Sequence, residues 1–277
     1  MRNKNRIRAK KSLGQHFLRS KKALVTMIKV GDVSAKDTIL EIGPGTGVLT
    51  RKLLETGARV IAVEKDDELF ELLKHKFEKE ILSSQLILTH DDILELEAKK
   101  LITPKSWKLI ANIPYNITGA ILKKFLETDY QPEKIVLLIQ KEVAERMVGT
   151  RRHGVSTGRK ESILSISVKA YGIPRYIETV KAGSFVPVPK VDSAIIAIDD
   201  ISKDFFTDFT KKQFFDMVRA GFKSKRKKLS SNLSVIFTKD KIRETFQKLN
   251  LNDNLRAEDI EIEIWRKLAT HLCQYLR

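Results

Sequence analysis

Four consecutive residues near the middle of the chain, Asn112-Ile113-Pro114-Tyr115, are suited to holding a flat ring that carries an amine. Such an amine is a poor nucleophile because its lone pair is delocalised into the ring. Two acceptors on its N–H bonds, the Asn112 side-chain oxygen and the Ile113 carbonyl, would localise that lone pair. Tyr115 would stack on the ring, an interaction worth about 1–3 kcal/mol per base, and Pro114 would stiffen the turn. The pattern therefore fits methyl transfer to the amine of an adenine.

The same residues also fit a turn in which Asn112 caps the backbone and Tyr115 fills the core, since Asn and Pro are common in turns. Their position after a predicted buried strand favours the functional interpretation. Such a reaction depends on positioning and desolvation rather than on a strong base. We therefore predict a site without a catalytic His or Cys and without a metal, and a target base that is unpaired or flipped out.

A glycine-rich stretch, Glu41-Ile42-Gly43-Pro44-Gly45-Thr46-Gly47, follows another predicted strand. Gly43 and Gly45 let the backbone turn tightly and approach a ligand closely. Glu64 ends the next strand, where its carboxylate can accept hydrogen bonds from both ribose hydroxyls of an adenosine. Asp92 follows the third strand and can reach the adenine amine, although alone it also fits a helix N-cap. The glycine spacing differs from the dinucleotide fingerprint, and Glu41 replaces the apolar residue of a dehydrogenase, so we favour a nucleoside-type cofactor over NAD.

Short apolar runs alternate with helical spacing between residues 37 and 140. This alternation predicts an α/β fold, a Rossmann-like doubly wound sheet with helices on both faces. Ligands of such sheets bind outside the carboxyl ends of the strands, near the point where strand order reverses. The predicted strands are 38–42, 59–64, 85–89, 108–112 and 134–139, and the predicted helices between them are 48–56, 68–80 and 118–127.

The second half of the chain changes character near residue 200. Before it we predict a helix at 141–148, an exposed basic loop at 151–160, and strands at 163–170 and 194–198. A polar linker at 199–203 leads to helical spacing at 210–221, 224–237, 240–249 and 258–275. We therefore predict a basic N-terminal arm (1–30), a Rossmann-like domain (31–200) and a small all-helical domain (204–277).

The formal net charge of +17 is unevenly distributed. Residues 1–31 carry ten basic and no acidic side chains, and residues 201–277 carry 17 basic and 10 acidic ones, whereas 32–200 is balanced at 25 of each. Basic ends on a neutral body predict a protein that binds a polyanion. The alternative is a lysine-rich surface that serves solubility alone.

A single cysteine, Cys273, excludes an internal disulfide and a Cys-rich zinc site, and fits a reducing compartment. No apolar stretch approaches 18 residues, so we expect no membrane span. The acid-free arm, with Arg2, Arg6 and Arg8, resembles a mitochondrial presequence, but structured-looking sequence already begins by about Lys11. We therefore expect an unprocessed, cytoplasmic chain, and we take a monomer as the default oligomeric state.

Five separated motifs make the chain resemble the ribosomal RNA adenine dimethyltransferase family, which includes the housekeeping small-subunit enzyme and the macrolide-resistance methylases. Besides the glycine-rich stretch they are Leu13-Gly14-Gln15-His16-Phe17-Leu18, Asn112-Ile113-Pro114-Tyr115-Asn116, Gln140-Lys141-Glu142-Val143 and Phe185-Val186-Pro187-Val188-Pro189-Lys190-Val191-Asp192-Ser193-Ala194. They span nearly the whole chain in the order typical of the family.

The resemblance implies S-adenosylmethionine as cofactor and a small helical domain that helps to hold RNA. It implies that Tyr115 faces the target base. Composition and spacing do not single out the N-terminal motif, because a lone His in a basic arm is more often solvated. The cofactor contacts that the resemblance implies are His16, Leu18, Gly43, Glu64, Asp92 and Asn112; the glycine-rich stretch itself adds Gly45 as a candidate.

Two basic clusters are candidate RNA contacts, with solvated helix or loop surface as the alternative. The first is a run in the predicted helical domain, and a similar patch contacts RNA in the family. The second flanks two glycines in the predicted loop. The clusters are Lys223, Lys225, Arg226, Lys227 and Lys228, and Arg151, Arg152, Arg159 and Lys160.

Within the family, the ending Val191-Asp192-Ser193-Ala194 and the full helical tail resemble the small-subunit branch. That branch dimethylates two adjacent adenines in a hairpin loop near the 3′ end of its RNA. The implied partner is small-subunit rRNA or the assembling small subunit. Two alternatives stay open: a large-subunit methylase of the resistance type, and an RNA-binding assembly or transcription factor that has lost catalysis.

Overall fold

The computed structural model describes residues 10, 14–103, 106–151 and 159–275. The strands are β1 (Phe17–Leu18), β2 (Thr38–Ile42), β3 (Arg59–Glu64), β4 (Leu86–His90), β5 (Lys108–Asn112), β6 (Lys134–Gln140), β7 (Thr150–Arg151), β8 (Arg159–Lys160), β9 (Ile173–Val180), β10 (Phe185–Val186) and β11 (Ser193–Asp199). The helices are α1 (Lys21–Val30), α2 (Val48–Leu54), α3 (Asp67–Lys76), α4 (Glu78–Leu82), α5 (Ala98–Leu101), α6 (Thr118–Glu127), α7 (Lys141–Val148), α8 (Ile163–Lys169), α9 (Lys211–Gly221), α10 (Leu229–Leu233), α11 (Lys239–Lys248) and α12 (Ile262–Leu272).

Seven strands form one mixed sheet in the order β4-β3-β2-β5-β6-β11-β9. The first five pair in parallel, and β11 runs antiparallel to both β6 and β9. In the centre, Leu40 of β2 lies between Ile61 of β3 and Leu109 of β5. The chain adds β3 and β4 on one side of β2, and β5 and β6 on the other. Strand order therefore reverses between β2 and β5, which is where sheets of this kind bind ligands.

The inner strands of the sheet are buried because they are almost continuously apolar. Every residue of β2 is buried, and all of β11 except its last residue. Such runs are typical of strands covered on both faces, whereas a half-exposed strand would alternate. Helices α1 and α2 pack beside the sheet and contribute Met27 and Leu53, both fully buried, to one core. The predicted Rossmann-like α/β fold is confirmed, with each predicted strand of the parallel part within one residue of its observed bounds.

The chain divides into two compact units. The first runs to Ala144 and resumes over Ile173–Ile201; the second consists of Glu145–Gly172 and the residues from Ser202 onward. The second unit thus includes a segment that the sequence had assigned to the Rossmann-like domain. Contacts within this unit explain why: the Glu161 N–H donates to the Glu258 carbonyl, and the Ser202 N–H to the Tyr171 carbonyl.

The predicted strand at 163–170 is wrong, because the chain forms helix α8 over Ile163–Lys169. Its β-branched run has the composition of a strand, but Ser162 starts a helix. The Ser162 and Ser165 side chains each bond the other's backbone N–H in a capping box. The predicted helix at 224–237 is also too long, since only Leu229–Leu233 is α-helical, and strand β9 was not predicted.

The second unit packs its helices around aromatic residues. Trp265 of α12 is fully buried and stacks on Phe222 with 5.6 Å between the ring centroids. None of the described helices has the length and apolar character required to span a membrane.

Candidate functional site

A cavity of about 270 Å³ opens in the first unit, where β2, β3 and β5 end. It lies at the reversal of strand order, as the fold predicts. All ten residues predicted to bind the cofactor or to act in the reaction line it. They are His16, Leu18, Gly43, Gly45, Glu64, Asp92, Asn112, Ile113, Pro114 and Tyr115. The structure thus brings them together, and the role of each stays a prediction.

The glycine-rich loop contacts two aromatic rings. Gly45 has a φ of 60° and Gly47 a φ of 75°, in the left-handed region that favours glycine. A Cβ at Gly45 would lie 3.2 Å from the ring of Phe17, and one at Gly47 would lie 2.5 Å from the ring of Phe77. Both the backbone and the neighbouring rings therefore require glycine here.

Glu64 connects the loop to the end of β3. Its Oε2 accepts a hydrogen bond from the Gly45 N–H at 3.0 Å, and its Oε1 accepts one from the Asp66 N–H at 3.0 Å. Burial raises the pKa of this carboxyl above its ordinary value, although those two N–H donors oppose the shift. A carboxylate has about four lone-pair sites, so Glu64 retains acceptor capacity for hydroxyl groups of a ligand in the cavity.

Glu41 is a site residue that the sequence indicated only as a departure from the dehydrogenase pattern. Its side chain lines the cavity, and the residue is 1% exposed. Burial raises the pKa of its carboxyl to about 8. Its Oε2 has no hydrogen-bond partner among the described residues. Because an unpaired buried acceptor is costly, a ligand that brings a cation or an N–H donor to Glu41 would be bound favourably.

Asp92 lies on the rim of the same cavity. Its Oδ2 is 2.7 Å from the Lys65 Nζ, and its Oδ1 accepts a hydrogen bond from the Leu94 N–H at 2.9 Å. The hydrogen bond from Lys65 is the main cause that lowers the pKa of Asp92. The alternative prediction, a helix N-cap, is corrected: Asp92 caps a turn at 93–96 that does not continue into a helix.

The N-terminal segment Gly14–Leu18 forms one wall of the cavity. Strand β1 pairs antiparallel with β10, with Phe17 opposite Val186 and Leu18 opposite Phe185. The His16 Nδ1 lies 2.8 Å from the Pro187 carbonyl oxygen. Since a carbonyl only accepts, this contact requires the proton on Nδ1. Sequence spacing does not indicate the contacts of Phe17 and Pro187, because their partners are far away along the chain.

The N-terminal segment also orients Asn112. The Asn112 Nδ2 donates a hydrogen bond to the His16 carbonyl at 3.3 Å. With the amide nitrogen engaged in this way, the Oδ1 is the atom left to accept a hydrogen bond from a ligand. The next residue, Ile113, is buried, and Pro114 holds the backbone extended at φ −57° and ψ 136°.

Tyr115 is half-buried beside this acceptor. Its ring stacks on the His16 ring, with 5.7 Å between centroids and 21° between planes. Its hydroxyl lies 2.7 Å from the Ser193 Oγ. Burial raises the pKa of the Tyr115 hydroxyl, so it stays protonated at neutral pH. The Tyr115 ring and the Asn112 side chain thus both line the cavity, and a planar base with an amine requires an aromatic face and an acceptor of this kind.

The candidate RNA contacts lie in the second unit. The five basic residues between Lys223 and Lys228 are all exposed, but they occupy the turn between α9 and α10 rather than a helix. Lys160 of β8 forms an ion pair with Glu258, at 2.5 Å. Arg151 and Arg159 are opposite each other in the β7–β8 pairing, and Arg152 lies outside the described residues.

The model of the family "Ribosomal RNA adenine dimethylase" matches residues 6–274. Two curated relatives carry the name "Ribosomal RNA small subunit methyltransferase A". The relative from Nostoc sp. is 40% identical over 276 residues, covering 96% of this chain and 98% of that protein. The relative from Dehalococcoides mccartyi is 38% identical over 266 residues, covering 95% of this chain and 88% of that protein.

Two solved structures have the same fold over most of their length. A dimethyladenosine transferase from Plasmodium falciparum is 26% identical with a TM-score of 0.73, covering 91% of this chain and 96% of the other. The 23S rRNA methyltransferase ErmE is 23% identical with a TM-score of 0.72, covering 92% of this chain and 99% of the other. With the family model matching almost end to end and residues of three of the five motifs lining one cavity, the chain belongs to the ribosomal RNA adenine dimethylase family.

Proposed function

We propose that this chain transfers two methyl groups from S-adenosylmethionine to the N6 amine of adenine in small-subunit ribosomal RNA. The target we infer is a pair of adjacent adenines in a hairpin loop near the 3′ end of that RNA. One observation carries the proposal: a single cavity joins a glycine loop with buried carboxyl groups to the Asn112–Tyr115 acceptor and stacking set. Either half alone would fit many ligands, but together they fit a methyl donor and a base.

The hydrogen-bond acceptors in the cavity suit S-adenosylmethionine. The cofactor has ribose hydroxyls, an adenine amine, an α-amino group and a positively charged sulfur. Glu64 offers acceptors for hydroxyls, and the Glu41 Oε2 lacks a partner among the described residues. Asp92 adds a carboxylate at the rim. NAD would bring a negatively charged pyrophosphate to this acidic cavity, which opposes its binding.

The residues of the chain act by positioning rather than by acid–base chemistry. When bound, the cofactor supplies an electrophilic methyl group. The Asn112 Oδ1 and the Ile113 carbonyl accept hydrogen bonds from the N–H groups of the target amine, which localises its lone pair toward the methyl. Tyr115 stacks on the base and holds it in line, so most of the rate enhancement comes from orientation and exclusion of water. The methylated ammonium is acidic enough to lose its proton to water.

The choice of RNA rests on the relatives, several of which carry a small-subunit name at 33–40% identity. The similarity to the 23S enzyme, at 23% identity, concerns the fold. We propose that the protein acts as a cytoplasmic monomer. A reducing compartment agrees with a chain whose one cysteine, Cys273, is buried and free.

The test is incubation with labelled S-adenosylmethionine and unmethylated small ribosomal subunits, beside large-subunit RNA, followed by mass spectrometry of the nucleosides. We expect N6,N6-dimethyladenosine from the small subunits alone. Label in the large-subunit RNA would replace the proposed target with that of a resistance methylase. Tight RNA binding without any label would instead support the alternative of an RNA-binding assembly factor that has lost catalysis.

Glu64→Ala should weaken S-adenosylmethionine binding about 10- to 100-fold. The carboxylate both fixes the Gly45 N–H and supplies the predicted ribose acceptors. Hydrogen bonds to charged groups contribute about 1.5–3 kcal/mol each, and 1.4 kcal/mol is about a factor of ten. Isothermal titration calorimetry measures the effect. Glu68→Ala removes an equal charge from an exposed position outside the cavity and should bind normally; equal affinity in both variants would exclude the proposed role.

Replacing Lys223, Lys225, Arg226, Lys227 and Lys228 by alanine should weaken RNA binding without affecting cofactor binding. Each phosphate that a basic side chain neutralises contributes about 0.7 to 0.9 to the slope of log affinity against log salt, so the slope should be shallower in this variant than in the wild type. The matched control neutralises five exposed lysines of the first unit, Lys36, Lys74, Lys79, Lys99 and Lys100. If both quintuple variants bind RNA equally, the run has no specific role beyond net charge.

A further inference from the structure

The Tyr115 hydroxyl already has a hydrogen-bond partner within the protein, because it lies 2.7 Å from the Ser193 Oγ. Ser193 is fully buried, while Tyr115 lines the cavity. The two residues are 78 positions apart in the chain. Their contact therefore exists only in the folded unit and joins the wall of the cavity to the sheet beneath it.

Strands flank Ser193 on both sides. It begins β11 and is paired on both sides, with Gln140 of β6 and Val180 of β9. Because β11 runs antiparallel to β6, its first residue lies at the carboxyl edge of the parallel strands, the edge where the cavity opens. Strand β11 thus brings the Ser193 hydroxyl, on a backbone that is paired on both sides, next to the Tyr115 side chain, which follows β5.

Tyr115 has two contacts that restrict its ring. The backbone at Tyr115–Ile117 is a single 3₁₀ turn, which by itself does not fix the side chain. The His16 ring stacks on it at 5.7 Å, and the Ser193 hydroxyl holds its far end. A stacking contact leaves the ring able to slide in its own plane, whereas the hydrogen bond at the tip prevents that movement.

We propose that Ser193 is a positioning residue for methyl transfer, whose hydroxyl anchors the Tyr115 ring so that the target base stacks in one register beneath the Asn112 acceptor. The inference rests on the proposed function, since it assigns a partner to the residue that stacks on the base. It also explains why this position holds a tyrosine, because a phenylalanine would stack equally well but could not be anchored.

An anchor of this kind affects the rate more than the binding of RNA. The base gains its stacking contact whether or not the ring is anchored, so KM for RNA depends little on Ser193. The in-line geometry is reached less often when the ring slides, so kcat falls. We expect a decrease of about tenfold in kcat, below the roughly hundredfold cost of a full misplacement near the reacting atoms.

The experiment is a double-mutant cycle in the full-length protein with Ser193→Ala, Tyr115→Phe and both together, assayed for kcat and KM on small subunits. We expect each single change to lower kcat by a similar factor and the double change to lower it no further. Ser193→Thr keeps the hydroxyl and should restore most of the rate. Full kcat in Ser193→Ala, or single effects that multiply in the double variant, would overturn the proposal.

The sheet offers a matched control in the Tyr176–Thr179 pair, whose hydroxyls also lie 2.7 Å apart but which does not line the cavity. Thr179→Val removes the same kind of hydrogen bond and should leave kcat unchanged. A general loss of stability would lower the melting temperature in both variants, whereas the kcat effect should occur only in Ser193→Ala.

A readout without turnover separates this inference from the proposed function. In protein labelled with 3-fluorotyrosine, the Tyr115 fluorine resonance is the one that disappears in Tyr115→Phe. We expect it to shift and narrow in Ser193→Ala as the ring gains motion. An unchanged resonance contradicts the anchor, even if the wild-type protein methylates no RNA; absence of wild-type methylation contradicts only the proposed function.

Discussion

Asn112→Ala should lower the rate of methyl transfer at least about a hundredfold while RNA affinity stays unchanged. Misplacement near the reacting atoms costs on the order of 100-fold, and loss of one preorganised polar group that stabilises the transition state costs about 100- to 1000-fold. The alanine variant lacks the Oδ1 acceptor and also the hydrogen bond to the His16 carbonyl. Single-turnover kinetics on small subunits, with RNA binding measured separately, test both parts.

Asn112→Asp distinguishes the two effects. Aspartate keeps an acceptor oxygen for the target amine, but it has no N–H for the His16 carbonyl. We expect this variant to retain more activity than the alanine variant and less than the wild type. Equal rates in wild type and Asn112→Ala would mean that the Asn112–Tyr115 set is not the catalytic site and would favour the turn interpretation.

Glu41→Gln should remove a pH dependence from the free energy of unfolding. Burial raises the pKa of Glu41 to about 8 in the folded protein, from an ordinary value of 4.5. The stability linked to Glu41 is therefore fully present below pH 4.5 and is lost as pH rises toward 8. At 1.36 kcal/mol per pKa unit, the loss amounts to roughly 3 kcal/mol at pH 7 and about 5 kcal/mol above pH 8.

Urea unfolding of both proteins between pH 5 and 9 measures the difference. The glutamine variant can be less stable by a constant amount, because its amide is also buried, so the slope with pH decides the result. Carboxyl groups with a lowered pKa titrate in both proteins, so their contribution to the free energy of unfolding cancels in the comparison. Asp192, whose pKa is lowered mainly by a hydrogen bond from the Ala182 N–H, is one of them. Parallel pH profiles would show that Glu41 is already ionised. Bound S-adenosylmethionine should flatten the wild-type profile if its positive charge lies beside Glu41.

The sequence predicted the parallel part of the sheet closely because each strand there is a short apolar run between turn residues. It failed at Ile163–Lys169 for a local reason. The run has strand composition, but the capping box between Ser162 and Ser165 fixes a helix, and a reciprocal side-chain contact is hard to recognise beside β-branched residues. The helix predicted at 224–237 from helical spacing starts too early, because residues 223–228 connect α9 to α10 and α10 begins only at Leu229.

Site residues could be predicted from the sequence where a polar side chain lies at the end of a predicted strand. Glu64 and Asn112 belong to this class, since carboxyl ends of parallel strands meet at one edge. His16 was found only through the family resemblance, because its position depends on the pairing of β1 with β10. Ser193 was overlooked for a related reason: its partner is 78 residues away, and the antiparallel direction of β11 brings the two together.

The pairing of β1 with β10 has a consequence for the order in which the protein is made. The carbonyl of Pro187 is 171 residues from the His16 ring that it holds, and the His16 carbonyl in turn holds Asn112. A ribosome produces chain at about 5–20 residues per second, so the partners of β1 arrive roughly ten seconds or more after it. Until then, the strands around Asn112 can pair, but its amide has no fixed orientation. A growing chain can therefore pair its five parallel strands before its site is complete, and a newly made copy becomes a working enzyme only after most of its length has been synthesised.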